Sequence, residues 1–282
     1  MLSTEQIQKC IVWACEHEVA APKPGNVNCF SDAHNMQLQD FINSAHAIAP
    51  ALSVPNSNVG QMILDAIIAT RTVVDCNTNL GIVLLFAPLC CAIQNCDSFE
   101  QLPQKLDHVL NNLTIKDAID TYQAIRLAQA GGLGHSEQQD INNTPTVTLR
   151  QAMAIARNHD AIAAQYLNNY HEIYTIGLAK LTESLNCGES VEWATTFAYL
   201  NLLSNVPDSL IYRKYGLERA HEVMKFAKQL LRYPLQFKGI SRIERDIIKW
   251  DIELKKEAIN PGTTADLTAA TLLVHAFREA LS

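Results

Sequence analysis

The sequence predicts an all-α fold, a single multi-helix globular domain over 1–282 with central apolar helices, and three observations carry that prediction. Apolar residues recur at i, i+3 and i+4 along most of the chain. No segment alternates apolar with polar residues convincingly, and no Asn-Gly or Asp-Gly pair marks a hairpin. Glycine is scarce, 11 of 282 residues or about 4%, against a usual ~7%.

The helices follow in order. Ser3 with Gln6 has the form of a capping box, and Ile7, Ile11 and Ala14 give the first helix its inner stripe. Further helices are predicted over 40–52, 59–75, 80–94, 98–111, 114–129, 148–158, 160–186, 189–204, 217–231, 240–257 and 263–281. In the middle of the chain Leu149, Met153 and Ala156, then Ile162, Tyr166 and Tyr170, keep the helical period. The 59–75 segment has few polar positions and 80–94 has no charged one, so both belong at the centre. The stretch Gly131–Val147 is rich in Gly, Gln and Asn and reads either as a lid or as a long connection.

Bulk composition removes several classes of function. A 48% apolar content with 18% charged residues specifies a large core and a moderately charged surface, which permits a homodimer without demanding one. The net charge of −7 argues against nucleic acid and against anionic membrane as partners. The uncharged run Leu80–Cys96 contains Pro88 and is too short in its apolar part to span a bilayer. Eight cysteines show no Cys-x-x-Cys metal spacing, and no secretion signal opens the chain. Reduced thiols and a cytoplasmic location are expected.

Chemistry is expected in four segments. In Glu18-Val19-Ala20-Ala21-Pro22-Lys23-Pro24-Gly25-Asn26-Val27-Asn28, two prolines stop the first helix. Glu18 continues its apolar stripe, where a carboxylate needs a partner, a metal or a proton. Lys23 on the rigid turn suits a phosphate contact, and a Glu–Lys ion pair closing the helix end is the alternative. In Asp75-Cys76-Asn77-Thr78-Asn79-Leu80-Gly81, a polar loop joins two central helices, Thr78 or Asn79 can cap the second, and Gly81 lets a ligand approach the backbone. A capped buried turn is the rival reading. In Pro207-Asp208-Ser209-Leu210-Ile211-Tyr212-Arg213, Asp208 starts a short helix and stands five residues from Arg213. The pair therefore does not close along the helix, which leaves Asp208 for a metal and Arg213 for a phosphate, unless Arg213 is only a solvated basic turn. In Asn260-Pro261-Gly262-Thr263-Thr264-Ala265-Asp266, Thr263 and Asp266 have the form of a capping box on a packed helix. A carboxylate there beside a helix N-terminus can hold the Mg²⁺ of a polyphosphate. Gly131-Gly132-Leu133-Gly134 lacks the flanking strand and helix of a dinucleotide fingerprint.

Lys23-Pro24-Gly25, Asn77-Thr78-x-x-Gly81, Asp208-x-x-x-x-Arg213-x-x-Gly216 and Pro261-Gly262-x-x-Ala265-Asp266-Leu267 occur in an order that resembles the triphosphoribosyl-dephospho-CoA synthase family, over about Glu18 to Leu273. That family makes a prosthetic-group precursor for citrate lyase and malonate decarboxylase. The resemblance implies an all-α fold, ATP as substrate and a divalent metal, Mg²⁺ or Mn²⁺. It implies a reaction in which the 2′-hydroxyl of dephospho-CoA attacks C1′ of ATP and adenine leaves. On it Asp208, Asp266 and Glu18 are the catalytic carboxylates, Asp208 and Asp266 as metal ligands and Glu18 as the base or a further metal ligand. Lys23, Gly25, Asn77, Thr78, Gly81, Arg213, Gly262 and Thr263 bind phosphate or sugar. The chain departs from the family where Asn-Thr-His-Lys-Gly becomes Asn77-Thr78-Asn79-Leu80-Gly81, where Asp becomes Asn28, and where Arg-Gly-Glu-Ala becomes the Gly131–Gly134 region. It looks like a divergent archaeal and methylotroph branch, so a transferase acting on another precursor, in one-carbon (methanopterin-type) cofactor synthesis, is an alternative. An N-glycosidic hydrolase and a non-catalytic nucleotide binder are the others.

Overall fold

The computed structural model describes residues 1–30, 32, 36–129, 138–232 and 240–282, and among these there are helices and no strand. In chain order the helices are α1 (Thr4–Ala20), α2 (Leu38–Leu52), α3 (Val59–Val73), α4 (Leu80–Ile93), α5 (Leu102–Asn111), α6 (Ile115–Ala128), α7 (Leu149–Ala156), α8 (Ala161–Asn168), α9 (Ala179–Asn186), α10 (Val191–Asn205), α11 (Ser209–Tyr215), α12 (Leu217–Leu230), α13 (Ile240–Lys256) and α14 (Gly262–Leu281).

Local chemistry sets most of the starts. Ser3 and Gln6 exchange the two bonds of a capping box at α1, and Thr114 with Asp117 and Thr148 with Gln151 repeat it at α6 and α7. Asp160 and Asp208 each accept two backbone N–H groups at the starts of α8 and α11.

Three expectations are corrected. The expected helix 160–186 breaks at Asn169 and Tyr170, whose φ angles of 56° and 61° are left-handed; it resumes as a widened π turn, Ile173–Leu178, that leads into α9. The segment 98–111 opens with a 3₁₀ turn, Phe99–Gln101. Thr263 and Asp266 form no capping box. The N-cap position is Pro261, so Thr264 stands where the box needs its acid and Asp266 is two residues too late.

Helices α4 and α14 pack against each other at the centre. Nearly every residue of α4 is buried, and α14 is buried from Thr263 to Phe277 apart from the half-buried Asp266. Helix α1 lies on α14 and α2, α2 on α3, and α3 on α6. A second apolar cluster joins Phe197 and Leu200 of α10, Ile211 of α11, Val223 of α12 and Trp250 of α13 to Ala265 of α14. Helix α14 thus enters from one apolar cluster and runs on into the other.

Pro88 lies inside α4 and has no N–H, so the Leu84 carbonyl loses its helical donor. Tyr166 donates its hydroxyl to that oxygen at 2.6 Å, and Tyr170 donates to the Leu85 oxygen at 3.0 Å. Both rings are fully buried. Tyr166→Phe is therefore expected to cost about 1–3 kcal/mol, the penalty of an unsatisfied buried acceptor. Urea denaturation measures it, and an unchanged midpoint would mean that the oxygen finds another donor.

Candidate active site

A cavity of about 330 Å³ opens between the N-termini of α4 and α14, the end of α1, and the α6–α8 layer. Its size suits a small-molecule site. The polar end is walled by Glu18, Asn26, Asn77 to Gly81, Asp160, Arg213, Asn260, Gly262, Thr263 and Asp266. All four predicted segments thus contribute to one wall, the first through Glu18 and Asn26 on either side of its Lys-Pro-Gly turn.

The turn itself faces inward. Lys23 is fully buried and does not line the cavity. Its ammonium lies 3.0 Å from Glu18 Oε1 and donates to the Val27 carbonyl at 2.8 Å. The expected phosphate contact is corrected to the alternative reading, an ion pair behind the helix end. Gly25 is also structural. Its φ of +81° needs glycine, and an added Cβ would stand 2.9 Å from both the Ile259 oxygen and Pro261 Cδ. Its N–H donates to Asp251 Oδ1 of α13 at 2.8 Å. Asn28 donates to the carbonyls of Lys23 and Asn26, both at 3.0 Å, and to Asp251. Tyr199 of α10 donates to the Pro24 oxygen, and Asn26 donates to Asn260 Oδ1, both at 2.8 Å. The first and fourth segments are therefore bonded to each other.

Asp208 is likewise engaged. Its Oδ1 accepts the N–H groups of Leu210 and Ile211, and its Oδ2 accepts the Thr264 N–H at 2.8 Å and hydroxyl at 2.9 Å. It is buried outside the cavity wall and clamps α11 to α14, so the expectation that it stands free for a metal is corrected. Arg213 does reach the cavity, but not alone: one Nη1 holds Asp160 Oδ2 at 2.6 Å. Its buried Nε has no partner.

At the start of α4, Asn77 Oδ1 accepts the Leu80 N–H at 3.2 Å, while Asn79 is held by Thr70 at 3.0 Å and Thr78 pairs with Ser44 at 2.6 Å. Asn77, rather than Thr78 or Asn79, is the capping side chain. Gly81 lies under Asp266, where an added Cβ would meet Asp266 Oδ2 at 2.0 Å. Glycine thus lets a carboxylate sit directly on a helix N-terminus.

Two carboxylates in this wall lack hydrogen bonds. Glu18 Oε1 is buried and, despite the nearby ammonium, accepts no hydrogen bond of good geometry. Among the described residues no hydrogen bond or ion pair reaches Asp266. Burial pushes both above the usual carboxylate range. Lys23 opposes the rise at Glu18, whereas at Asp266 the negative fields of Glu18 and Asp208 add to it and Arg213 opposes. Among the described residues no group of three His, Cys, Asp or Glu side chains forms a ready-made metal site.

Residues that pattern reading passed over are Asp251, Asp160, Asn260 and Thr121. Asp160 carried a signal, an acid at the first position of a predicted helix. Asp251 carried none. Gln138 to Ile141, in the middle of the Gly131–Val147 stretch, also line the cavity, while Gly131–Gly134 lies outside the described residues.

Residues 4–282 match the family model described as CitG, ATP:dephospho-CoA triphosphoribosyl transferase. The chain belongs to this family. Two CitG relatives, from Vibrio cholerae serotype O1 strains M66-2 and ATCC 39315 / El Tor Inaba N16961, are named probable 2-(5''-triphosphoribosyl)-3'-dephosphocoenzyme-A synthases. Each is 27% identical over 280 residues, covering 90% of this chain and 82% of the relative. A crystal structure from Archaeoglobus fulgidus, provisionally described as a triphosphoribosyl-dephospho-CoA synthase, superposes with a TM-score of 0.64 at 21% identity, covering 83% of this chain and 97% of that one. The all-α fold is thus the fold of that neighbour. Among the described residues no helix is long and apolar enough to cross a membrane.

Within this CitG chain, Leu80 lines the cavity where the expected family pattern carries lysine, and Asn79 beside it has its side-chain amide bonded to Thr70. Gly81→Ala is expected to displace Asp266 and lower kcat about 100-fold, the scale of a 1 Å misplacement, while the helical circular dichroism stays unchanged. Near-normal turnover would show that the Asp266 position is not critical.

Proposed function

We propose that this chain attaches the triphosphoribosyl group of ATP to dephospho-CoA with release of adenine, using Glu18 as base and Asp266 as the second carboxylate of the site. The observation that carries this reading is two carboxylates facing one cavity between two helix N-termini, Glu18 backed by the Lys23 ammonium and Asp266 seated on Gly81. The 2′-hydroxyl oxygen forms the bond to C1′ as the C1′–N9 bond breaks. The hydroxyl proton goes to Glu18, and the electron pair leaves with adenine, which takes up a proton. A carboxylate beside C1′ also stabilises the positive charge that develops on the sugar.

Phosphate binding follows from the wall. Asn77, Thr78, Gly262 and Thr263 border the two helix N-termini, which favour anions. Arg213 Nε is a free donor beside them. Against these stand the carboxylates of Glu18, Asp160 and Asp266. A bare polyphosphate would be repelled, so ATP enters with a divalent cation. The donors fit Mg²⁺ or Mn²⁺: hard oxygens only, among them the Asp266 carboxylate, with phosphates left to complete the shell. Asp266 would hold that ion, which neutralises phosphate charge, and this leaves Glu18 to act as the base. Asp208 positions the α14 N-terminus. All eight cysteines are free thiols, in keeping with a reducing cytoplasm.

The test is mass spectrometry for adenine after mixing protein, Mg²⁺ and ATP, with and without dephospho-CoA. Adenine plus the triphosphoribosyl adduct, only with acceptor, is expected. Adenine without acceptor would replace the proposal by a hydrolase. No adenine in either mixture would favour the second reading, transfer to another cofactor precursor, which Leu80 in place of the family lysine supports.

A further inference from the structure

Away from the carboxylates the cavity changes character. Thr121, Tyr122 and Ile125 of α6, Leu149 and Met153 of α7, and Ile162 of α8 line it, and none carries a charge. Thr121 is fully buried, and its hydroxyl has no hydrogen-bond partner. A threonine on a helix normally returns its hydroxyl to the carbonyl four residues back, as Thr268 and Thr271 do at 2.8 and 2.9 Å. Thr121 leaves this option unused, at a cost that a bound ligand would remove. The opposite wall is fixed from the same helix. Tyr122 donates its hydroxyl to the Gln139 oxygen at 2.8 Å, and Arg126 donates to the Ile141 oxygen at 2.6 Å. The tyrosine ring is thereby held as part of the wall with its polar end already used.

We infer that this lobe is a purine-base subsite in which the Thr121 hydroxyl reads the base edge. The inference rests on the nucleotide reading of the cavity and adds the place and the recognising group. An apolar slot whose one nearby charge, Asp140 beside Tyr122, is negative excludes phosphate, which the helix-terminal end accommodates. A hydroxyl both donates and accepts, so it matches an edge where an exocyclic amine adjoins a ring nitrogen. Both ATP and dephospho-CoA carry such a base.

Calorimetric titration with free adenine tests the subsite without requiring turnover, so its outcome is separate from that of the transfer reaction. Wild-type protein is expected to bind adenine, Thr121→Val to lose about tenfold or more in affinity, and Thr121→Ser to keep it. Titrating Thr121→Val with Mg-ATP and with dephospho-CoA distinguishes the sources. A loss confined to ATP assigns the lobe to the leaving base, and a loss confined to dephospho-CoA assigns it to the acceptor base. Ile125→Trp, which fills the lobe, should abolish adenine binding but leave inorganic triphosphate binding intact, and it serves should Thr121→Val fold poorly. Equal adenine affinity in wild type, Thr121→Val and Ile125→Trp, or no adenine binding by wild type, would overturn the inference.

Discussion

Asp266→Asn is expected to abolish adenine release and, at neutral pH, to raise the thermal midpoint of the metal-free protein. The two effects share one cause. Asp266 sits half-buried on Gly81 with no hydrogen-bond partner, and its carboxyl is held well above its ordinary range by burial and by Glu18 and Asp208. A carboxyl with a raised folded-state pKa binds more protons folded than unfolded. It therefore destabilises the fold progressively as pH rises from its unfolded value through its folded one. Asparagine removes that charge and should stabilise by about 1 kcal/mol or more. The advantage should shrink toward pH 4, where wild type also carries the proton. Saturating Mg-ATP should narrow it too, because wild type alone would gain full binding free energy. A variant less stable than wild type at pH 7.5 and at pH 4.5 alike would show that Asp266 is a structural group. Catalysis and stability are then opposed at this one position, as is common where a site keeps charge buried.

Lys23→Met is expected to lower kcat by at least about 100-fold while leaving KM for Mg-ATP within about twofold. The ammonium is sealed behind Glu18 and never meets the cavity, so it cannot touch phosphate. It supports Glu18 in the ionised form against the burial that pushes it up. Without it the Glu18 carboxyl titrates higher still, and the alkaline-rising limb of the kcat profile should move to higher pH. Breaking such a pair costs about 3–5 kcal/mol of stability, so the double variant Glu18→Gln/Lys23→Met should be more stable than Lys23→Met alone. A raised KM for ATP with an unshifted pH profile would restore lysine as a phosphate contact. These two variants divide the polar end into what acts on substrate and what acts through another side chain.

Spacing made the helices legible because burial and capping act locally. Ser3/Gln6, the uncharged run of α4 and the stripe of α14 all follow from neighbours within one or two turns. The Asn169–Tyr170 break was not legible, since no glycine or proline marks it. At the site, four segments could be singled out because polar groups near apolar helices demand partners, but which partner they find is a long-range fact. Glu18 and Asp266 face a cavity, as their patterns suggested. Lys23 and Asp208 answer the same demand inward, one through Val27 and Glu18, the other through Thr264. Nothing within a few residues of either distinguishes these outcomes. Asp251 illustrates the limit: it holds the Gly25 turn across 226 positions, and in sequence it is one acid on an amphipathic helix.

The bond from Asn26 to Asn260 spans 234 positions, and the Gly25 turn rests on Ile259 and Pro261. The chain out to Asn260 must leave the ribosome before either wall of the cavity has its counterpart. The growing polypeptide can bury α1 to α4 early, yet the cavity stays one-sided until α14 arrives. Nucleotide would then act as a seal on a folded wall rather than as a template during synthesis.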